Sequence, residues 1–141
     1  MGLFRRLFPR GAGDNRTLSA VEYCSGDFHQ AIVGEASYQD ELRRLAQSRT
    51  TAGKHTEFRV LLMPEPANKY DSNAVAVYVE GGGVIGYLAR DIAAEYQRII
   101  IAHFDSKRSY PCCMARMYGG TSDKPSLGVW LDIDWDSLEG A

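Results

Sequence analysis

Asn68, Tyr70, Asp71 and Asn73 crowd into the stretch EPANKYDSNAVAVYV, residues 65 to 79, directly ahead of a run of strictly alternating side chains. Their chemistry suits recognition better than bond making. A carboxylate such as Asp71 accepts hydrogen bonds from hydroxyl and N–H donors, and such contacts are charge-assisted. A tyrosine such as Tyr70 presents a flat face to a base or sugar, worth about 1 to 3 kcal/mol per base and indifferent to sequence. Asn68 can donate to a phosphate or a base edge, and Arg90, at the head of a later helix, suits a phosphate held beside a helix N-terminus. The same residue types are also turn formers whose side chains bond nearby backbone amides. Both readings stand open for Tyr70, Asp71 and Arg90; for Asn73 and Gly86 the structural role is the stronger one.

No catalytic constellation accompanies this cluster. His29, His55 and His103 are far apart, with no pair at helical spacing and no adjoining Glu of the zinc-hydrolase pattern. Cys112 and Cys113 are neighbours, and strand neighbours point to opposite faces, so they read as one core thiol and one surface thiol and not as a metal pair. The GAG and GGG tracts lack the following Lys and Ser or Thr of a phosphate-cradling loop. Asp132, Asp134 and Asp136 alternate and read as a solvated acidic strand edge. Glu65 and Asp71 have no evident proton-transfer partner. We therefore expect a non-catalytic protein with no cofactor and no metal.

The elements that must position the cluster alternate between β and α signals. Strands are expected over Phe28–Gly34, from Glu57 to the prolines Pro64 and Pro66, over Asn73–Val79, over Val84–Leu88, over Cys112–Gly120 and over Leu127–Asp134. The EGGG turn, residues 80 to 83, makes the third and fourth a hairpin. YQDELRRLAQS, from Tyr38, reads as a short surface helix. ARDIAAEYQRIIIAHF, from Ala89, carries Ile92, Tyr96, Ile99 and Ile100 at helical spacing and is the clearest helix of the chain. Six strands and two helices in one small body point to a curled sheet or small barrel with helices at its edges.

The chain has 141 residues, enough for one ordinary core, with 45% hydrophobic and 24% charged residues, values typical of globular proteins. No apolar run approaches the roughly 20 residues that span a bilayer. The three cysteines form no even-spaced framework, which favours a reducing compartment, and we expect a cytoplasmic protein. The net charge of −2 conceals a basic start, with Arg5, Arg6, Arg10 and Arg16 against Asp14, and an acidic end, with Asp132, Asp134, Asp136 and Glu139. The body between is nearly neutral, so any nucleic-acid binding must rest on local arrangement and not on a strongly basic field. We divide the chain into a basic arm over residues 1–20, one domain over 21–135 and a short acidic tail over 136–141. The arm reads as a solvated tail, or as an arm grazing phosphate or membrane with Leu3, Phe4, Leu7 and Phe8.

Two linked motifs carry a family resemblance. Glu65, Pro66, Asn68, Tyr70, Asp71, Asn73, Ala74, Val75 and Val77 match one, and Ile85, Gly86, Tyr87, Leu88 and Arg90 match the other. With the preceding AIVGEASYQDEL they resemble the HIRAN domain in order and spacing over about residues 30 to 120. The resemblance implies a mainly β fold of α+β class, an OB-like small β-barrel of about six strands plus two flanking helices. In the members attached to helicase-type remodelling enzymes it implies a pocket that captures the 3′-hydroxyl end of single-stranded DNA. On this chain the pocket residues would be Tyr38, Asn68, Tyr70, Asp71, Tyr87 and Arg90. The implied partners are single-stranded DNA or DNA 3′ ends, and a helicase, nuclease or other DNA-processing protein, in a setting such as DNA repair. The chain departs from those members at Ala36 and Ser37, where they carry an Arg and an extra Tyr, and at Tyr87, where they carry His. Loss of one phosphate contact and one stacking face corresponds to about ten- to a hundredfold in affinity. Tyr87 restores some stacking on this reading, and Arg49, Lys54 and His55 sit on a loop that could approach the site. The alternative is a protein-interaction or adaptor domain that keeps the fold without binding DNA ends.

Overall fold

The alternating run Val75–Val79 is a strand whose valines 75, 77 and 79 are all buried, facing the core of a barrel. The computed structural model describes residues 22–48 and 56–141. The expectations for the basic arm and for Arg49, Lys54 and His55 lie outside the described residues. Among those described, β1 is Gln30–Val33, followed by a 3-10 turn over Glu35–Tyr38 and helix α1 over Gln39–Ser48. Strands β2 (Glu57–Pro64), β3 (Val75–Val79) and β4 (Val84–Leu88) form a meander, and helix α2 covers Arg90–Lys107. Strands β5 (Cys112–Gly119) and β6 (Leu127–Leu131) precede a short helix α3, Trp135–Glu139. The six strands close into an antiparallel barrel in the order β1, β4, β3, β2, β5, β6, with β6 pairing back onto β1. This is the mainly β barrel with flanking helices expected from the sequence, with a third, short helix added.

Closure explains the burial. Each strand sends one row of side chains inward, so Ile32, Phe58, Val60, Leu62, Val77, Ala115, Val129 and Leu131 share one core at 4% exposure or less. Fully burying one such aliphatic side chain contributes about 1.5 to 3 kcal/mol. Leu61, Met63, Ala74 and Ala76 on the outer rows are buried as well. Helix α2 packs over β2 there, and its buried Gln97 donates to the carbonyls of Ser72 and Ala74. Gly86 is required by packing: a Cβ on it would lie 2.7 Å from Ile32 Cδ1 and 2.8 Å from the Val33 carbonyl oxygen.

Two expectations are corrected. Cys112 and Cys113 are both buried, because the segment around Tyr23 lies alongside β5, with the Tyr23 N–H donating to the Cys112 carbonyl at 2.8 Å. The acidic residues do not form a strand edge, since β6 ends at Leu131. Asp132 is buried and accepts the Met114 N–H at 2.8 Å, while Asp134 caps α3 by accepting the Ser137 N–H at 3.2 Å and its hydroxyl at 2.8 Å. Alternation in sequence carried over into a helix cap, which it resembles at short range.

Candidate functional site

Pro64 ends β2, because proline has no N–H to continue the ladder. The chain then runs through a ten-residue loop before β3, and its polar side chains fold it. The Glu65 N–H donates to the Ala74 carbonyl at 2.8 Å and closes the loop at its base. The Asn68 side-chain oxygen accepts the N–H groups of Tyr70 at 2.8 Å and Asp71 at 3.0 Å, an Asx turn. Asp71 Oδ1 repeats the device by accepting the Asn73 N–H at 2.9 Å. From beneath, Gln97 of α2 holds the Ser72 and Ala74 carbonyls at 2.8 and 3.2 Å. The turn-forming reading of Asn68 and Asp71 is therefore correct for their backbone contacts.

The same network reaches the second motif. Asn68 Nδ2 donates to Glu65 Oε1 at 2.9 Å, and the Tyr87 hydroxyl of β4 donates to both Glu65 oxygens at 3.0 and 3.2 Å. Tyr38, at the end of the 3-10 turn, interacts with the Tyr87 hydroxyl in turn. Burial, then the Glu65 carboxylate, then Tyr38 push the Tyr87 phenol well above the ordinary tyrosine range, so it stays a protonated donor at neutral pH. Tyr87 is half-buried with its hydroxyl engaged, which makes it a buttress of the loop.

Of the groups left over by the turn bonds, Tyr70 and Arg90 face solvent and Asp71 is part-buried. Tyr70 is 83% exposed, the most exposed large apolar side chain among the described residues, with Lys69 Nζ 5.9 Å from its ring centre. Asp71 Oδ2, spare after the Asn73 contact, meets Arg90 Nε at 3.4 Å. Arg90 opens α2, and its side chain is 77% exposed. Ala89 caps that helix without a side-chain hydrogen bond, so the first N–H groups are not taken by a capping side chain. The structure thus brings all six sequence-identified residues into one contiguous arrangement running Tyr38, Tyr87, Glu65, Asn68, then Tyr70, Asp71 and Arg90. Glu65 is the member whose part was not foreseen: its place three residues before Asn68 hinted at the local bond, but only the fold shows Tyr87 arriving from 22 residues away.

A hollow of about 360 Å³ adjoins the arrangement. Ala36, Ser37, Tyr38, Gln39, Asp40, Glu41 and Arg44 line it, so of the six residues it includes Tyr38 alone. The group formed by Tyr70, Asp71 and Arg90 is an open edge: a flat ring, an acceptor and a cation on one rim, without an acid and base placed for proton transfer. Among the described residues no group of three His, Cys, Asp or Glu side chains is placed to hold a metal, and no helix is long and apolar enough to cross a membrane.

A crystal structure of a protein from Lactobacillus plantarum is similar at 22% identity and a TM-score of 0.44, over 72% of this chain and 86% of that one. The crystal structure of the HIRAN domain of human HLTF is similar at 17% identity and a TM-score of 0.38, over 79% of this chain and 78% of that one. No curated protein matches the chain. The family model described as the HIRAN domain matches residues 26–126, which takes in β1 through the turn before β6 and every residue of the arrangement, and the chain therefore belongs to the HIRAN domain family.

Proposed function

We propose that this protein is a non-catalytic binding module that takes the 3′-hydroxyl end of single-stranded DNA at the rim formed by Tyr70, Asp71 and Arg90. Its family is one generally associated with DNA binding. The observation that carries the reading is the 83% exposure of Tyr70 on a loop otherwise held rigid by side-chain hydrogen bonds. An exposed tyrosine contributes little to stability, and a rigid support lowers the entropy cost of stacking a base on it. Asp71 Oδ2 accepts the terminal hydroxyl, and Arg90 swings from Asp71 to the adjoining phosphate. The neutral, protonated Tyr87 keeps Glu65 turned inward, away from the incoming phosphates. Cys24, Cys112 and Cys113 form no disulfide, which suits a cytoplasmic setting, and the partners that expose such ends are helicases, nucleases and other DNA-processing proteins, as in repair.

Binding of a fluorescent single-stranded oligonucleotide tests the site. Tyr70→Ala lowers affinity about tenfold, and Asp71→Asn, of the same shape, removes preference for a free 3′-hydroxyl. Folded variants with wild-type binding contradict the assignment. A second reading has its own observation: Asp71 Oδ1 and Asn68 Oδ1 are occupied by backbone N–H groups, which suits an adaptor domain in which the motif serves folding alone. On that reading the wild-type protein binds no DNA.

A further inference from the structure

Besides Tyr70, the exposed large hydrophobics among the described residues are Val33 at 44% and Trp130 at 40%. They lie on one outer wall of the barrel. Val33 of β1 is the cross-strand partner of Tyr87 on β4, and Ala31, two residues earlier and on the same face, is the partner of Trp130 on β6. Trp130 is in turn the partner of Arg116 on β5, whose guanidinium lies 4.1 Å from the centre of the Phe28 ring. Directly opposed residues of an antiparallel pair share a face and touch. A row of surface therefore runs from Tyr87 over Val33 and Ala31 to Trp130, Arg116 and Phe28, across four neighbouring strands.

We infer that this wall is a second nucleobase platform, on which the single strand leaving the end-binding rim lays further bases against Trp130. The inference rests on the end-binding reading for the point where the strand enters. Three observations favour single-stranded DNA as the occupant. The row adjoins the rim through Tyr87. Trp130 is the cross-strand partner of Arg116, whose guanidinium lies over the Phe28 ring, and π faces beside a cation are the combination that holds bases without reading sequence. Arg116 is matched by Glu57 at 2.6 Å, and so the wall has no strong field of either sign and binds through stacking more than through phosphate attraction. By strand spacing and rise, Trp130 stands about 12 Å from Tyr87. That is the reach of about three or four stacked nucleotides.

A length series reads this out. Wild type, Trp130→Ala and Trp130→Phe are titrated with a trinucleotide and a decanucleotide, each ending in a 3′-hydroxyl or a 3′-phosphate, after circular dichroism has shown the variants to be folded. The wild type binds the decanucleotide about tenfold more tightly than the trinucleotide. Trp130→Ala loses that gain, Trp130→Phe keeps most of it, and the ratio between hydroxyl and phosphate ends is unchanged in both. Equal affinity for the two lengths in the wild type, or a gain that survives Trp130→Ala, overturns the platform while a hydroxyl preference leaves the rim intact. A length gain that depends on Trp130 with no preference between ends supports the platform and sinks end reading. Binding to neither strand, as expected if the apolar wall docks a protein, overturns both.

Discussion

At the scale of the residue, two kinds of side chain share the 65–74 loop and respond differently to mutation. Asn68 and Glu65 are spent on structure, and Tyr70 is not. Tyr87→Phe removes the donor that both Glu65 oxygens use, leaving a half-buried carboxylate short of partners, and is expected to cost about 1 to 3 kcal/mol in chemical denaturation. Tyr70→Ala is expected to leave the denaturation midpoint unchanged while weakening DNA binding, because the ring is exposed and packs on nothing that the fold needs. A large loss of stability in Tyr70→Ala contradicts this division. Residue types and spacing singled out Asn68, Tyr70, Asp71 and Arg90, and the turn bonds of Asn68 and Asp71 were legible because turn chemistry is local. Glu65 was legible only in part, because its bond to Tyr87 joins two strands and no local pattern records it. The assignment of Tyr87 as a stacking face did not anticipate that a neighbouring carboxylate would occupy its hydroxyl.

At the scale of the element, helix α2 is what turns a loop into a platform. Its N-terminus brings Arg90 to Asp71, and about two turns further on Gln97 holds the loop from below. Gln97→Ala is predicted to cost about 1 to 3 kcal/mol, since the Ser72 carbonyl loses its buried donor. It also weakens DNA binding without touching the ligand, a pairing of effects that denaturation and anisotropy measured on one preparation would reveal. Gly86→Ala on β4 is predicted to destabilise by about 1 to 3 kcal/mol, because the new methyl meets a backbone oxygen that cannot yield as a side-chain tip can. An unchanged melting temperature in that variant contradicts the packing of β1 against β4. The strands and both long helices were readable from period and punctuation. The burial of Cys112 and of Asp132 was not, because each is covered by a segment remote in sequence, Tyr23 in one case and the backbone of β5 in the other.

For the molecule as a whole, closure of the barrel sets what pH and salt do. Tyr23 and α2 meet at His103, which is buried, with Nε2 2.9 Å from the Tyr23 hydroxyl and Nδ1 2.8 Å from the Ser109 carbonyl oxygen. Burial holds this imidazole below the usual histidine range, helped by Lys107 and opposed by the Ser109 carbonyl. The folded state thus binds fewer protons than the unfolded chain, whose histidine titrates near about 6.5. Stability is therefore fully present above that value and is lost as pH falls through and below it. The acid slope of the unfolding free energy should shrink in His103→Gln, and an identical slope would show that other groups cause it. A nearly neutral body with few exposed cations at the site also predicts a shallow salt dependence, a slope of about 1 to 2 in log affinity against log salt, from two or three phosphate contacts.

We propose that the rim reads a DNA end. The direct measurement is fluorescence anisotropy of the wild-type protein with one short single-stranded oligonucleotide, prepared with a free 3′-hydroxyl and with a 3′-phosphate, at low and moderate salt. About tenfold or greater preference for the hydroxyl is expected at both salt concentrations, since Asp71 gains a donor from the hydroxyl and is repelled by the phosphate. Equal affinity for the two ends, or no binding to either, contradicts it.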